Sequence, residues 1–253
     1  MADSADAPRT PSIEGTLATR SLAVLFVHVR TRRLTGRLLV RAPDGRAGIV
    51  DFWRAQIVRA RMKPPVEGLG GATEMEQANR NLDELFLMPP VCSFGFYDEK
   101  PSTVEPPLTL DPIAVVWRAL RDAPENEALR TALASLATKA LRIANEAPIA
   151  RVAFAPDEKK LCQTLVDRPM TLAEMRAAFS AVPYARIERL GYLLQLTGCV
   201  ELVRASVAAM PAPTVFGSRA MSGEAVVAAL QASKRAPGSV APPAMPAAAD
   251  KKK

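Results

Sequence analysis

Three short apolar runs, joined by connections too short to hold a helix, constrain this chain more than any other feature. Arg37-Leu38-Leu39-Val40-Arg41 reads as a strand, and Ala42-Pro43-Asp44-Gly45-Arg46 carries turn chemistry. Ala47 to Trp53 reads as the return strand, and after the short Arg54-Ala55 turn, Gln56 to Met62 reads as a third. Strands joined this tightly pair antiparallel. The chain therefore contains an antiparallel sheet, and what precedes and follows must supply the layer that covers it.

Helical spacing on both sides meets that need. Ser21 is placed to cap a helix carrying Leu22, Leu25, Phe26 and Val29, which Gly36 separates from the first strand. After the loop Lys63 to Gly71, the pattern predicts a helix from about Thr73 to Leu87 with Leu82, Leu85 and Phe86 inward. Pro89 and Pro90 stop it. Val91 to Tyr97 then places Cys92, Phe94 and Phe96 on one face with period two, as expected of a fourth strand at the sheet edge. Asp111-Pro112 opens a further helix with Ile113, Val116, Trp117 and Leu120 along one stripe, Trp117 serving as a packing anchor.

From Glu125 to Asn145 the spacing of Leu129, Leu133, Leu136 and Ala140 is helical, so a single bridging helix is expected. Residues 156–204 then read as three helices and a short hairpin, the order of a winged helix. Thr171 with Glu174 three residues on forms a capping box. Pro183 opens the third helix, Ile187, Leu190, Leu193 and Leu194 form its inner face, and Gly198 ends it before strand-like Cys199 to Val203. The expected fold class is α+β: a small antiparallel sheet with packed helices, then a mostly α, winged-helix-like domain. The expected division is a disordered leader over 1–12, an α/β domain over 13–122, a helical connector over 123–155, the winged-helix-like domain over 156–204, and a disordered Ala/Pro/Lys tail over 205–253 with one weak amphipathic patch at Ala225 to Leu230.

Composition narrows the chemistry. One histidine, His28, and three cysteines without a close pair, Cys92, Cys162 and Cys199, leave little material for hydrolytic, metal or disulfide chemistry. The expectation is a non-enzymatic protein with no cofactor and no metal, from a reducing compartment. The first residues lack the apolar stretch of a signal peptide, and no apolar run approaches the ~18 residues of a spanning helix, so a cytoplasmic protein without membrane insertion is expected. The net charge of +7 is not spread evenly, since residues 205–253 hold six basic and two acidic side chains and so account for +4 of it. One other local excess exists: Arg30 to Lys63 holds ten basic residues against Asp44 and Asp51.

The residues Gly15-Thr16-Leu17, Leu22 to Val29, Leu34-Thr35-Gly36-Arg37-Leu38-Leu39-Val40, Gly48-Ile49-Val50-Asp51-Phe52, Gln56-Ile57-Val58-Arg59-Ala60 and Phe94-Gly95-Phe96 carry a resemblance. Over roughly 13–98 the chain resembles the PATAN family of bacterial signalling domains. The resemblance implies an α/β signalling module, often joined to receiver domains, without enzymatic activity; the expected partner is a regulatory protein of a receiver-domain or small-GTPase signalling system. Trp53-Arg54-Ala55 stands where the family usually has glycine, which implies a wider or differently shaped turn.

The candidate partner-binding residues are Arg37, Arg41, Arg54, Arg59 and Arg61, gathered by strand alternation on one sheet face, together with Leu69. Arginine stems also cover apolar surface with their heads in water, which is the plainer account of them. His28 and the acidic neighbours Glu74 and Glu76, Asp83 and Glu84, and Asp98 and Glu99 read as packing and solvated charge. Gly68 to Gly71 reads as a loop without the residues of a phosphate cradle. An alternative function, a DNA-binding regulator, would place Tyr184, Arg186, Arg189 and Gln195 of the third helix on nucleic acid. A homodimer is compatible with either reading.

Overall fold

The computed structural model describes residues 10–68, 71–99, 108–123 and 127–204. The tail over 205–253, the patch at 225–230, most of the leader, Pro124 and Leu69 lie outside the described residues. Among the described residues the protein is a mixed α+β fold with seven helices, a five-stranded and a three-stranded antiparallel sheet. None of these helices is long and apolar enough to cross a membrane.

The first sheet has the strands β1 (Ile13–Thr16), β2 (Gly36–Arg41), β3 (Ala47–Trp53), β4 (Gln56–Lys63) and β5 (Ser93–Tyr97) in the order β1-β5-β2-β3-β4. The β2–β3 hairpin pairs Arg41 with Ala47 and Arg37 with Asp51 across the Asp-Gly turn. Helices α1 (Leu22–Arg32), α2 (Glu74–Phe86) and α3 (Pro112–Arg121) supply the covering layer. Phe26 of α1 meets Phe52 and Phe86 edge-on at 5.5 and 5.3 Å, and Phe52 leans on Phe96 at 6.2 Å. Such aromatic pairs add to what burial of their area contributes. Gly48 is fixed by this packing, because a Cβ there would sit 2.3 Å from Leu85 Cδ1.

Two expectations about this sheet are corrected. Val91 to Tyr97 was placed at an edge, but β5 lies between β1 and β2. The edge is β1, whose four residues include a glycine and are too few for a period-two signal; Ser12 N–H donates to Phe96 O at 2.8 Å and Leu17 N–H to Cys92 O at 2.9 Å on either side of it. The Arg54-Ala55 turn is not wide. Trp53 pairs with Gln56, so it is a two-residue loop, and both residues take the left-handed conformation that the twist of a tight hairpin demands, with φ of 49° and 63°. Glycine would do this without strain; here the backbone is held by Ala55 N–H donating to Leu34 O and Arg54 N–H to Thr35 Oγ1, both at 3.0 Å.

The second sheet contains β6 (Lys139–Ile143), β7 (Met170–Thr171) and β8 (Val200–Arg204) in the order β7-β6-β8. Around it lie α4 (Glu127–Ala134), α5 (Pro156–Asp167), α6 (Leu172–Ala178) and α7 (Tyr184–Leu196). The single helix expected from Glu125 to Asn145 is therefore wrong: α4 ends at Ala134 and Ala140 sits in a strand. Pairing on both sides, with β7 and β8, outweighs the local helical spacing of Leu136 and Ala140. The expected hairpin at the end of this region is also replaced. Among the described residues β8 pairs with β6, which precedes all three helices of the region, so no two consecutive strands form a wing. The Thr171–Glu174 capping box is present, with Glu174 N–H donating to Thr171 Oγ1 at 3.2 Å and Thr171 N–H to Glu174 Oε2 at 2.7 Å. Trp117 is 3% exposed and packs edge-on against Phe154 at 5.7 Å, joining the apolar cluster that runs through both sheets.

Candidate functional site

The face of the first sheet turned away from α1, α2 and α3 is bare: among the described residues no helix or strand lies on it. Strand alternation decides what it presents. The registers align Tyr97, Arg37, Asp51 and Arg59 in one row across the strands. The next row is Glu14, Gly95, Leu39, Ile49 and Arg61, and the third is Thr16, Ser93, Arg41, Ala47 and Lys63. Leu39 and Ile49 are only half-buried, whereas Leu38, Val40 and Val50 on the opposite face are sealed.

Of the five arginines expected on this face, Arg37, Arg41, Arg59 and Arg61 are there and Arg54 is not, and the four fall into two kinds. Asp51 is 3% exposed, and its carboxylate takes a 2.7 Å hydrogen bond from Arg37 Nε and lies 3.8 Å from Arg59. Arg37 also reaches Glu99 at 3.6 Å. These two guanidinium groups are pinned, and the Asp51 hydrogen bond holds Arg37 above the ordinary arginine pKa. Arg41 and Arg61 are exposed, and with Lys63 they form no ion pair among the described residues. Arg54 lies off the face, on the hairpin turn, with its guanidinium 5.6 Å from the Trp53 ring centre.

A groove of about 410 Å³ runs along β5. Its floor is low at exposed Ser93 of β5, while Glu14 and Thr16 of β1 and Leu39 and Arg41 of β2 rise on either side. The Tyr97 ring leans over Gly95, where a Cβ would stand 3.2 Å from the ring.

The α7 candidates are placed differently. Arg189 Nη1 donates to Arg121 O at 2.9 Å and its Nη2 to Ala123 O, so this side chain satisfies carbonyls at the end of α3. Arg186 lies 3.5 Å from Asp122 and 3.7 Å from Glu158. Glu158 is 1% exposed; its Oε2 accepts Ala155 N–H at 2.8 Å, and its Oε1 faces Arg121 at 3.8 Å. Tyr184 lies beneath the Arg176 guanidinium at 4.8 Å, and burial together with Glu188 pushes its hydroxyl pKa up. Gln195 lines a shallow groove of about 380 Å³ with Ser135 and Tyr192.

The remaining reactive side chains are dispersed. All three cysteines are buried, and burial pushes the Cys162 thiol up to about 12, far from the thiolate a nucleophile needs. Burial and the nearby Arg20 and Arg32 push His28 down. Among the described residues no group of three or more His, Cys, Asp or Glu could hold a metal ion. Comparison with protein-family models, with curated proteins and with solved structures finds no match for this chain.

Sequence reasoning missed Glu14, Leu39, Ile49, Lys63, Ser93 and Tyr97 as members of the face. The signal for most of them was available: once the Asp-Gly turn is centred, Arg41 falls opposite Ala47, and every second residue from there belongs to the same side.

Proposed function

We propose that the chain is a non-enzymatic, cytoplasmic signalling adaptor, PATAN-like in its first part, whose bare sheet face docks an acidic regulatory protein. No cofactor enters this reading. The observation that carries it is the pairing of half-buried Leu39 and Ile49 with Arg41, Arg61 and Lys63, three cations left without a partner among the described residues. Apolar side chains at the centre of such a patch supply affinity, and charges at its rim steer and orient. Five strands about 4.8 Å apart and about 20 Å long give a face of roughly 400 Å². That is about half of what a standard interface buries on one partner, the size range of transient signalling contacts.

The second sheet with its helices, residues 139–204, is read as a further protein-contact module, the partner being of the receiver-domain or small-GTPase type. The engagement of Arg186 and Arg189 with α3 and α5 supports this over DNA binding, because phosphate contacts need cations that are free to reach the backbone. The test is co-purification of partners with the full chain and with the double variant Arg41→Glu, Arg61→Glu. The expected result is loss of an acidic partner from the variant while the fold is retained. Equal recovery of every partner by both chains would remove the sheet face as the docking site.

A further inference from the structure

We propose that the groove along β5 receives an amphipathic helix of the partner, acidic along one flank. This rests on the adaptor reading above and names what the face binds. The groove runs parallel to the strands, between walls on β1 and β2 that are two strand spacings, about 10 Å, apart. An α-helix with its side chains is about 10–12 Å across, so one apolar stripe at i, i+3, i+4 and i+7 enters between the walls. Exposed Ser93 leaves the floor low enough to receive that stripe, Leu39 offers an apolar side wall, and the Tyr97 ring, lying over buried Gly95, closes one end.

Charge sets the orientation. On the β2-to-β4 side lie Arg41, Arg61 and Lys63, unpaired among the described residues, and on the β1 side lies Glu14. A helix with glutamates on one flank and neutral or basic residues on the other fits this face in one direction only. The chain's own residues 205–253, with six basic and two acidic side chains, carry the wrong sign for that flank.

The experiment titrates the full chain with three fluorescein-labelled 15-residue peptides, read by anisotropy. The first has an apolar stripe and a glutamate flank, the second has lysines in place of the glutamates, and the third is the first with two central prolines. The expected result is at least tenfold tighter binding of the first peptide than of either control. That advantage is lost in Ser93→Trp, an exposed position where indole fills the groove, and Arg41→Glu turns the preference toward the lysine peptide. Equal binding of the proline peptide assigns the groove to an extended segment and overturns the helix. Tighter binding of the lysine peptide, or of a single-stranded oligonucleotide, overturns the acidic flank, and no binding of any peptide overturns the proposal as a whole. The adaptor reading fails separately, when the Arg41→Glu, Arg61→Glu chain recovers the same partners as the native one.

Discussion

Arg41 and Arg61 stand exposed on a sheet face that no helix or strand covers among the described residues, whereas Arg186 and Arg189 turn inward against the end of α3 and the buried Glu158. The four share a side chain and a net charge; the backbone around them differs. Arg41 sits on β2, inside the ladder, where the carbonyls on both sides are paired and nothing local competes for the guanidinium; Arg61 sits on the edge strand β4 with its side chain on the exposed face and no ion pair among the described residues. The last turn of a helix leaves carbonyls without partners, and α7 passes beside such an end. The lesson is that a basic residue stays free for a partner only where the fold makes no use of it. Arg37 and Arg59 mark the intermediate case, on the same sheet face yet held by Asp51.

That contrast can be broken at its strongest point first. Glu158→Ala removes the carboxylate facing Arg121 and Arg186 and a capping contact to Ala155; loss of one member of a buried pair is expected to destabilise the protein by about 3 kcal/mol, the low end of the range because both arginines keep some water contact. Urea denaturation checks it, and an unchanged midpoint would show that the junction is held by packing alone. Arg189→Ala should lower stability by about 2 kcal/mol through the two carbonyls it leaves behind, with no change in partner binding. The double variant Arg41→Glu, Arg61→Glu should alter stability by no more than about 0.5 kcal/mol while weakening the partner severalfold or more, which separates free from structural arginines in one comparison.

The smallest effect concerns His28. Burial and two arginines lower its pKa below the ordinary value of about 6.5, so folding favours the neutral imidazole. The contribution is complete above pH 6.5 and is lost as pH falls through the lowered folded value. Native protein should therefore lose more stability between pH 7.5 and 5.5 than His28→Asn does, as followed by the urea midpoint at each pH. A midpoint that rises on acidification in the native chain alone would reverse the assignment.

Much of the first sheet was legible because its information is local. The Asp-Gly turn sets the β2–β3 register, alternation sorts Leu38 and Val40 from Leu39 and Arg41, and Ser21, Thr73, Asp111 and Thr171 each announce a helix by a capping side chain. What failed depended on distant pairing. β1 is a strand because β5 lies beside it, and Leu136 to Ile143 leaves the helical path because β7 and β8, some thirty and sixty residues on, complete its hydrogen bonds. The candidate face was legible in part. Alternation placed Arg37, Arg41, Arg59 and Arg61 together, but only the folded ladder reveals that Arg54 leaves the face for the turn, that Asp51 claims two of the others and that Ser93 hollows the surface beside Arg41.

The most direct test places a photo-crosslinking amino acid at Ile49 on the sheet face and, in a separate chain, at Gln195 on α7, with irradiation in the expressing cell. The account predicts a discrete protein adduct from Ile49 that Arg41→Glu with Arg61→Glu abolishes, and no nucleic-acid adduct from Gln195. Adducts to DNA from Gln195, with none to protein from Ile49, would contradict it and move the function to the second region.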